Sequence, residues 1–267
     1  NRAVDFALLA AVVALGALAN TGGGYAETRW TPYQKLAIRE LGGPADADSA
    51  LARRLRGDRM DLSGTSGRTF IAVNNTGYQA TVDLRPETVA ADPGRYPPAQ
   101  RGYSQYDIPP KLHPHPKTAL VVGAGSGNDA AGMLRNGVGR VVAVEIDPGI
   151  IGYGRRLHPE KPYDDPRCVV VNDDARSYFA TAGETFDVIA FGLLDSHTTT
   201  AMTNARLDHY VYTAESLAQA RRLLNPGGVL VLSFEAQKPF VADRMAGTLR
   251  QVFGDDPVVF RVPGNGY

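Results

Sequence analysis

The sequence predicts an α/β protein: a parallel sheet covered by helices on both faces, preceded by a small β domain and a hydrophobic helix. Two observations carry this expectation. From Lys117 onward, short apolar runs alternate with helix-length amphipathic stretches, the pattern of strands buried on both faces of a parallel sheet. Before that point the apolar runs are separated by turn residues and prolines, as in short antiparallel strands. The expected organisation is a hydrophobic segment over 1–20, a small β domain with a polar insertion and a proline-rich linker over 21–116, and a nucleotide-binding domain over 117–267.

The 267 residues are 43% hydrophobic, enough for a sizeable core. Lys plus Arg and Asp plus Glu number 28 each, so no net field draws the chain to nucleic acid, and no nucleic-acid partner is expected. The single cysteine, Cys168 in "CVVV", leaves no disulfide framework and no cysteine-rich zinc site, and reads as a buried, inert thiol. "FALLAAVVALGALA" at 6–19 is an uncharged run of 14 residues. At about 1.5 Å per residue it is short of a hydrocarbon core of roughly 30 Å. Three readings stay open: the end of a membrane helix from a longer protein, a buried helix, or a signal segment ending at Ala17-Leu18-Ala19 without the usual basic start. The first is the working expectation, and it makes the protein membrane-associated with its catalytic domain cytoplasmic.

In chain order, "YQKLAIRE", "TFIAV" and "YQATVDL" read as β strands, the last two joined by the turn sequence "NNTG". Residues 41–68 are rich in Gly, Ala, Asp, Ser and Arg and read as a polar insertion. Eight prolines between 85 and 116 suggest an extended linker. Then "TALVVG", "RVVAVEI", "CVVVN", "FDVIAF", "GVLVLSF" and "PVVFRV" read as strands. Helices are expected from about Asn128, Pro148 and Ala175, from about Tyr212 to Leu224, and across 238–253.

Ligands of such sheets bind at the carboxyl ends of the strands. The first end is "VVGAGSGND", whose Gly123, Gly125 and Gly127 allow positive φ and a close approach of ligand to backbone, with Ser126 among them. The second ends in "VEID", where Glu145 can accept both hydroxyls of a ribose. The third ends in "NDDA", where Asp173 or Asp174 can take an adenine amino group; one of the pair can cap the next helix, and motif position favours Asp174 as the ligand. Asp129 reads as a helix-start residue and Asp147 as a cap before Pro148. The glycine spacing departs from a dinucleotide fingerprint at Asn128. With "LLNPGGVLVL" at 223–232, the constellation resembles AdoMet-dependent transferases of the Rossmann-like class.

"RWTPYQKL" at 29–36 and "NNTGYQ" at 74–79 resemble the two β motifs of spermidine synthases. "VEIDP", "NDDARSYF" and "FDVIAFGLLD" follow in that family's order, over roughly 29–262. "EIDP", "HPEKPYDDPR", "LLDSH" and "RLDHYVYTAES" resemble the signatures of membrane-fused spermidine-synthase-like proteins more closely still. The resemblance implies a β-domain gate over a sheet that binds decarboxylated AdoMet, with Gln34 and Gln79 lining the site. It implies Asp195 at the catalytic edge and Tyr106 at the acceptor amine.

Two departures matter. The family's glycine-loop aspartate, which faces the aminopropyl amine, is Ser126 here. The aspartate that deprotonates the attacking amine is Gly192 here, while Asp195 matches the second aspartate of the same motif. Serine at 126 removes a group that would repel the carboxylate of ordinary AdoMet, so either donor is expected to fit. A missing base lowers the rate typically ~10²–10⁴-fold unless another group substitutes, and Asp195 or His197 is the candidate substitute. His197 also reads as an ordinary loop residue. His113, His115, His158 and His209 form no metal spacing, and no metal is expected.

The expected function is therefore transfer of an aminopropyl group to a small-molecule amine from decarboxylated AdoMet or an AdoMet-type donor. A methyltransferase, favoured by Ser126, and a catalytically silent domain sensing nucleotide or polyamine, favoured by Gly192, remain alternatives. A homodimer is possible. In this class "PVVFRV" would lead into a final antiparallel strand, so the chain is expected to be truncated at its C-terminus.

Overall fold

A computed structural model describes residues 2–19, 25–40, 69–74, 76–94, 96, 98–194, 210–234 and 239–262. Two sheets organise them. The first is antiparallel, in the order β1 (Glu27–Trp30), β2 (Lys35–Glu40), β3 (Thr69–Val73), β4 (Thr76–Thr81). The reading "YQKLAIRE" merged a turn with a strand: Tyr33 and Gln34 lie in the turn between β1 and β2, where the Thr31 hydroxyl accepts from both of their N–H groups. Asn74, at φ +50, turns β3 into β4, as "NNTG" predicts.

The second sheet is parallel, in the order β7 (Cys168–Asn172), β6 (Arg140–Glu145), β5 (Thr118–Val122), β8 (Phe186–Phe191), β9 (Leu224–Leu232). Alternate residues of its central strands enter opposite faces. Leu120, Val122, Val142, Val144, Ile189 and Phe191 pack with Tyr178, Phe179 and Leu217, which belong to the helices Ala175–Thr181 and Ala214–Arg222. Ala119, Val121, Val141, Ala143, Val188 and Ala190 pack with Ala130, Met133 and Ile151 on the other side. Two buried faces require apolar residues at every position, which is why these strands read as continuous hydrophobic runs.

The small sheet leans on the large unit through Leu36, Ile38, Ile71 and Val73, which pack on Ile150 and Tyr153 of the helix Pro148–Leu157. A polar node completes the join. Asn128, 1% exposed at the start of the helix Asn128–Arg135, uses its whole amide. Its Oδ1 accepts from Val82 N–H (3.1 Å) and faces His158 Nε2 (3.0 Å), while its Nδ2 donates to the Ala80 carbonyl (2.8 Å) and the Tyr106 hydroxyl (3.1 Å). His158 Nδ1 accepts from Glu160 N–H, so Nε2 carries the proton and donates to Asn128. Burial drives the His158 pKa down to about 3, which keeps the ring neutral.

Several expectations are corrected. Residues 257–262 form no strand, and Val258, Val259 and Phe260 are 88%, 71% and 50% exposed. A β-branched run becomes a strand only where an edge pairs with it. The proline-rich stretch is not simply extended: it holds the short helices Pro86–Ala91 and Ile108–Lys111, and Tyr96 packs with Val82, Leu84 and Val89. Cys168 is partly rather than fully buried, and burial still pushes its thiol up to about 11.

The membrane expectation is overturned. Among the described residues no helix is long and apolar enough to cross a membrane. The helix Arg2–Ala19 has 18 residues and includes Arg2 and Asp5. At about 1.5 Å per residue it spans about 27 Å, short of a hydrocarbon core of roughly 30 Å. The buried-helix alternative fails as well, since Phe6, Leu9, Val12 and Leu15 are all exposed. The localisation at a membrane, with a cytoplasmic domain attached, loses its basis with this helix.

Asn128→Ala is expected to destabilise the protein by about 2–4 kcal/mol, because Val82 N–H and His158 Nε2–H lose their buried acceptor. Urea denaturation measures this, and a loss below about 1 kcal/mol would show that the node is not holding the two sheets together.

Candidate functional site

Strand order 7-6-5-8-9 reverses direction in the chain between β5 and β8, so the crevice for a ligand opens at the carboxyl ends of these strands. The loop after β5 carries Gly123, Gly125 and Gly127 at φ values of +66°, +56° and +108°. Gly125 is tied to both neighbouring elements. Its N–H donates to Glu145 Oε2 at 2.8 Å, and a Cβ there would lie 2.7 Å from Gln79 Oε1.

Glu145 ends β6 and is 5% exposed. Its other oxygen accepts from Asp147 N–H at 2.9 Å. Burial raises its pKa, and the backbone donors partly offset that rise. Each carboxylate oxygen keeps a further lone pair, so the group retains capacity for a ribose hydroxyl.

The small sheet reaches the strand ends at two points. Gln79 Oε1 accepts from Ser126 N–H (2.8 Å) and from the Ser126 hydroxyl (2.7 Å). Gln34 Nε2 donates to Asp147 Oδ2 (3.0 Å), which also accepts from the Thr31 hydroxyl (2.9 Å). Asp147 caps the next helix through Gly149 N–H. Gln79 thus meets the glycine loop from another sheet, while Gln34 bonds Asp147, whose N–H donates to Glu145.

At the end of β7, Asp174 caps the helix Ala175–Thr181 by accepting from the N–H groups of Arg176 and Ser177. The capping role therefore falls on the residue that motif position favoured as the ligand. Asp173 accepts from Asp174 N–H and from the Ser177 hydroxyl. A cavity of about 410 Å³ opens here, lined by Asp174, Arg176, Ser177, Tyr210 and Gln219. Tyr106 joins the Asn128 node through its hydroxyl, and desolvation pushes that phenol up to about 12. Asp195, His197 and His209 lie outside the described residues. Among the described residues no group of three His, Cys, Asp or Glu side chains gathers to hold a metal.

Gly192 has a steric explanation. A Cβ at this position would lie 2.8 Å from the Gly123 carbonyl oxygen and 3.3 Å from Asp129 Oδ2. The first contact is with backbone that cannot swing away. Asp129 does sit in the first turn of its helix, as expected of a helix-start acid, but it is also 5% exposed, and burial pushes its carboxyl up to about 7. Its proximity to Gly192 escaped sequence reasoning, because no local pattern joins the end of β8 to the helix after β5.

Fold and site together define a Rossmann-like α/β protein whose glycine loop and buried strand-end acid are joined to a small antiparallel sheet. The model of the spermine/spermidine synthase domain matches residues 106–258, more than half of the chain, and the protein belongs to that family. Polyamine aminopropyltransferase of Pyrobaculum calidifontis is 34% identical over 126 residues, covering 45% of this chain and 42% of the relative. That of Nitrosomonas europaea is 32% identical over 154 residues, covering 55% and 45%. The chain thus spans less than half the length of these curated relatives. Among solved structures, a spermidine synthase in complex with the transition-state analogue AdoDATO shares the fold, with a TM-score of 0.56 and 19% identity over 86% of this chain and 64% of that one. The spermidine synthase of Thermotoga maritima has a TM-score of 0.53 over the same shares.

Gly192→Asp, which would bring back the family's aspartate, is expected to lower stability by about 1–3 kcal/mol through the clash with Gly123. An unchanged urea midpoint would show that the loop yields. Folded Asp129 keeps its proton to about pH 7, whereas an unfolded aspartate releases it near ~4. The folded state binds more protons across that window, so Asp129 makes stability fall as pH rises through it. Asp129→Asn is expected to gain on wild type by on the order of 4 kcal/mol between pH 4 and 8. Glu145 acts in the same direction in both proteins and cancels, so a constant difference between them would exclude the buried proton on Asp129.

Proposed function

We propose that this protein transfers an aminopropyl group from decarboxylated AdoMet to a small linear amine. The observation that carries the reading is the buried Glu145 carboxylate bonded to Gly125 N–H at a loop that Gln79 reaches from the second sheet. Membership of the spermine/spermidine synthase domain family and the names of the relatives support the reaction class.

In this reading Glu145 accepts the ribose hydroxyls, and the carboxylates at the end of β7, Asp173 and Asp174, take the adenine amino group. The amine acceptor lies toward Tyr106. Its nitrogen attacks the carbon beside the sulfonium; the C–N bond forms as the C–S bond breaks, and the nucleoside leaves as the neutral thioether 5′-methylthioadenosine. Asp195 positions the amine, and Asp195 or His197 takes the proton it loses. Holding both reactants in line supplies much of the acceleration.

Gly192 favours a second reading, binding without turnover, because no carboxylate stands where the family's base belongs. Ser126 favours a third, methyl transfer from AdoMet itself, although its hydroxyl is turned to Gln79.

One experiment separates the three. The protein is incubated with linear diamines and either decarboxylated AdoMet or AdoMet, and the products are read by mass spectrometry. Aminopropyl transfer predicts 5′-methylthioadenosine and an amine lengthened by one aminopropyl unit, from the decarboxylated donor only. A methylated acceptor from AdoMet would replace it with methyl transfer, and calorimetric binding with no product would leave a sensing domain. Glu145→Gln is expected to weaken donor binding by about tenfold or more, and an unchanged affinity would remove Glu145 from the ribose site.

A further inference from the structure

A second cavity, of about 410 Å³, lies between the helix Pro86–Ala91 and the far end of the helix Asn128–Arg135. Its size falls within the range of roughly 300–1,000 Å³ that small-molecule pockets occupy. Arg135 and Asn136 line it, at the end of the helix that begins with Asn128. At about 1.5 Å per residue, that helix sets the cavity roughly 10 Å from the glycine loop. Neither Glu145, Gln79, Asp173 nor Tyr106 lines it, so it is separate from the donor site.

One side of the cavity is apolar, where Leu84, Val89 and Tyr96 pack together as a buried cluster. The other side is polar, and its charged groups differ in what they have left to offer. Asp107, 4% exposed, accepts at Oδ1 from Arg135 Nε (3.1 Å) and Nη2 (2.7 Å) and from Asn136 Nδ2 (2.7 Å). Its Oδ2 accepts from the Ser104 hydroxyl (2.7 Å). Arg135 completes the group by donating from Nη1 to both Glu160 oxygens, at 2.7 and 2.6 Å. The carboxylate on this wall is therefore already paired, and a cation entering the cavity would have to compete with a buried guanidinium for it.

Arg101 is different. Its Nε donates to the Tyr96 carbonyl at 3.3 Å, and among the described residues no carboxylate pairs with it, which leaves its two Nη groups uncommitted. Lys111, close by, is engaged: it donates to the Gly102 carbonyl and lies over the Tyr103 ring, 5.2 Å from its centre. A guanidinium fork matches a carboxylate through two parallel hydrogen bonds. The apolar wall supplies the other half of a recognition site, since a hydrocarbon body placed against it leaves water.

We infer that this cavity binds an apolar monocarboxylic acid in its ionised form, with the head on Arg101 and the chain against Leu84, Val89 and Tyr96. The site goes beyond the transfer reaction above and does not rest on it. It also discriminates against the linear amine of that reaction, because its one lining carboxylate is spent on Arg135, Asn136 and Ser104.

The test titrates the whole protein, with the methyl groups of Leu84 and Val89 labelled and read by NMR, so that the signal reports this cavity. Octanoate is expected to shift these resonances saturably, with a Kd below about 1 mM. Acetate has the same head and no chain, and octylamine has the same chain and the opposite charge. Each is expected to bind more weakly than octanoate by about tenfold or more. Arg101→Gln is expected to weaken octanoate by about tenfold or more, the loss of one charge-assisted pair. Octylamine or acetate binding as well as octanoate overturns the proposal, as does an octanoate affinity unchanged in Arg101→Gln. Absence of any saturable shift with octanoate overturns it too, and leaves the transfer reaction untouched. If Arg101→Gln does not fold, the wild-type comparison decides: a margin of about tenfold over both acetate and octylamine upholds the proposal, and a smaller one overturns it.

Discussion

Asn128 is the constraint on which the site depends. Its amide bonds β4 and the strand's exit at Val82 to the first residue of the helix behind the glycine loop, and neutral His158 and the Tyr106 hydroxyl lock it from the other side. Every donor and acceptor of the amide is used, so rotation or loss of the side chain strands buried polar groups. A buried polar network of this kind is rigid when it is fully satisfied. Its consequence is positional: the small sheet has one register against the large one.

That register delivers Gln79 to Ser126 and Gln34 to Asp147. The glycine loop is therefore held by Gln79 of another sheet and by Glu145. Glycine at 125 follows from this crowding, since Gln79 occupies the space a side chain would need. Function and packing thus ask for the same residue. The loop that lets a ligand approach the backbone is the loop that admits Gln79.

The end of β8 shows the opposite economy. Here the Gly123 carbonyl leaves no room for a side chain at 192. Asp129 Oδ2, from the helix after β5, lies 3.3 Å from where that Cβ would stand.

The central parallel strands, β5, β6 and β8, were legible in the sequence because burial on two faces demands an apolar residue at nearly every position, a demand that acts on each strand separately. The turn at Asn74, the cap at Asp147 and the glycine loop were legible for a similar reason: each is decided by backbone conformation within a few residues. "PVVFRV" has the same local composition as a strand, yet pairing is a relation between distant segments, and residues 257–262 have no partner strand among the described residues. The run at 6–19 was apolar enough to suggest a membrane, but among the described residues no helix is long and apolar enough to cross one. Of Asp173 and Asp174, motif position favoured Asp174 as the ligand, and the backbone geometry makes Asp174 the helix cap. The sequence by itself determined the strand-end acids and the order of the parallel strands' chemistry, because those depend on local preferences. Only the tertiary structure decided that Asn128 joins the sheets and that Asp129 meets Gly192, because both are contacts between segments that no short-range pattern connects.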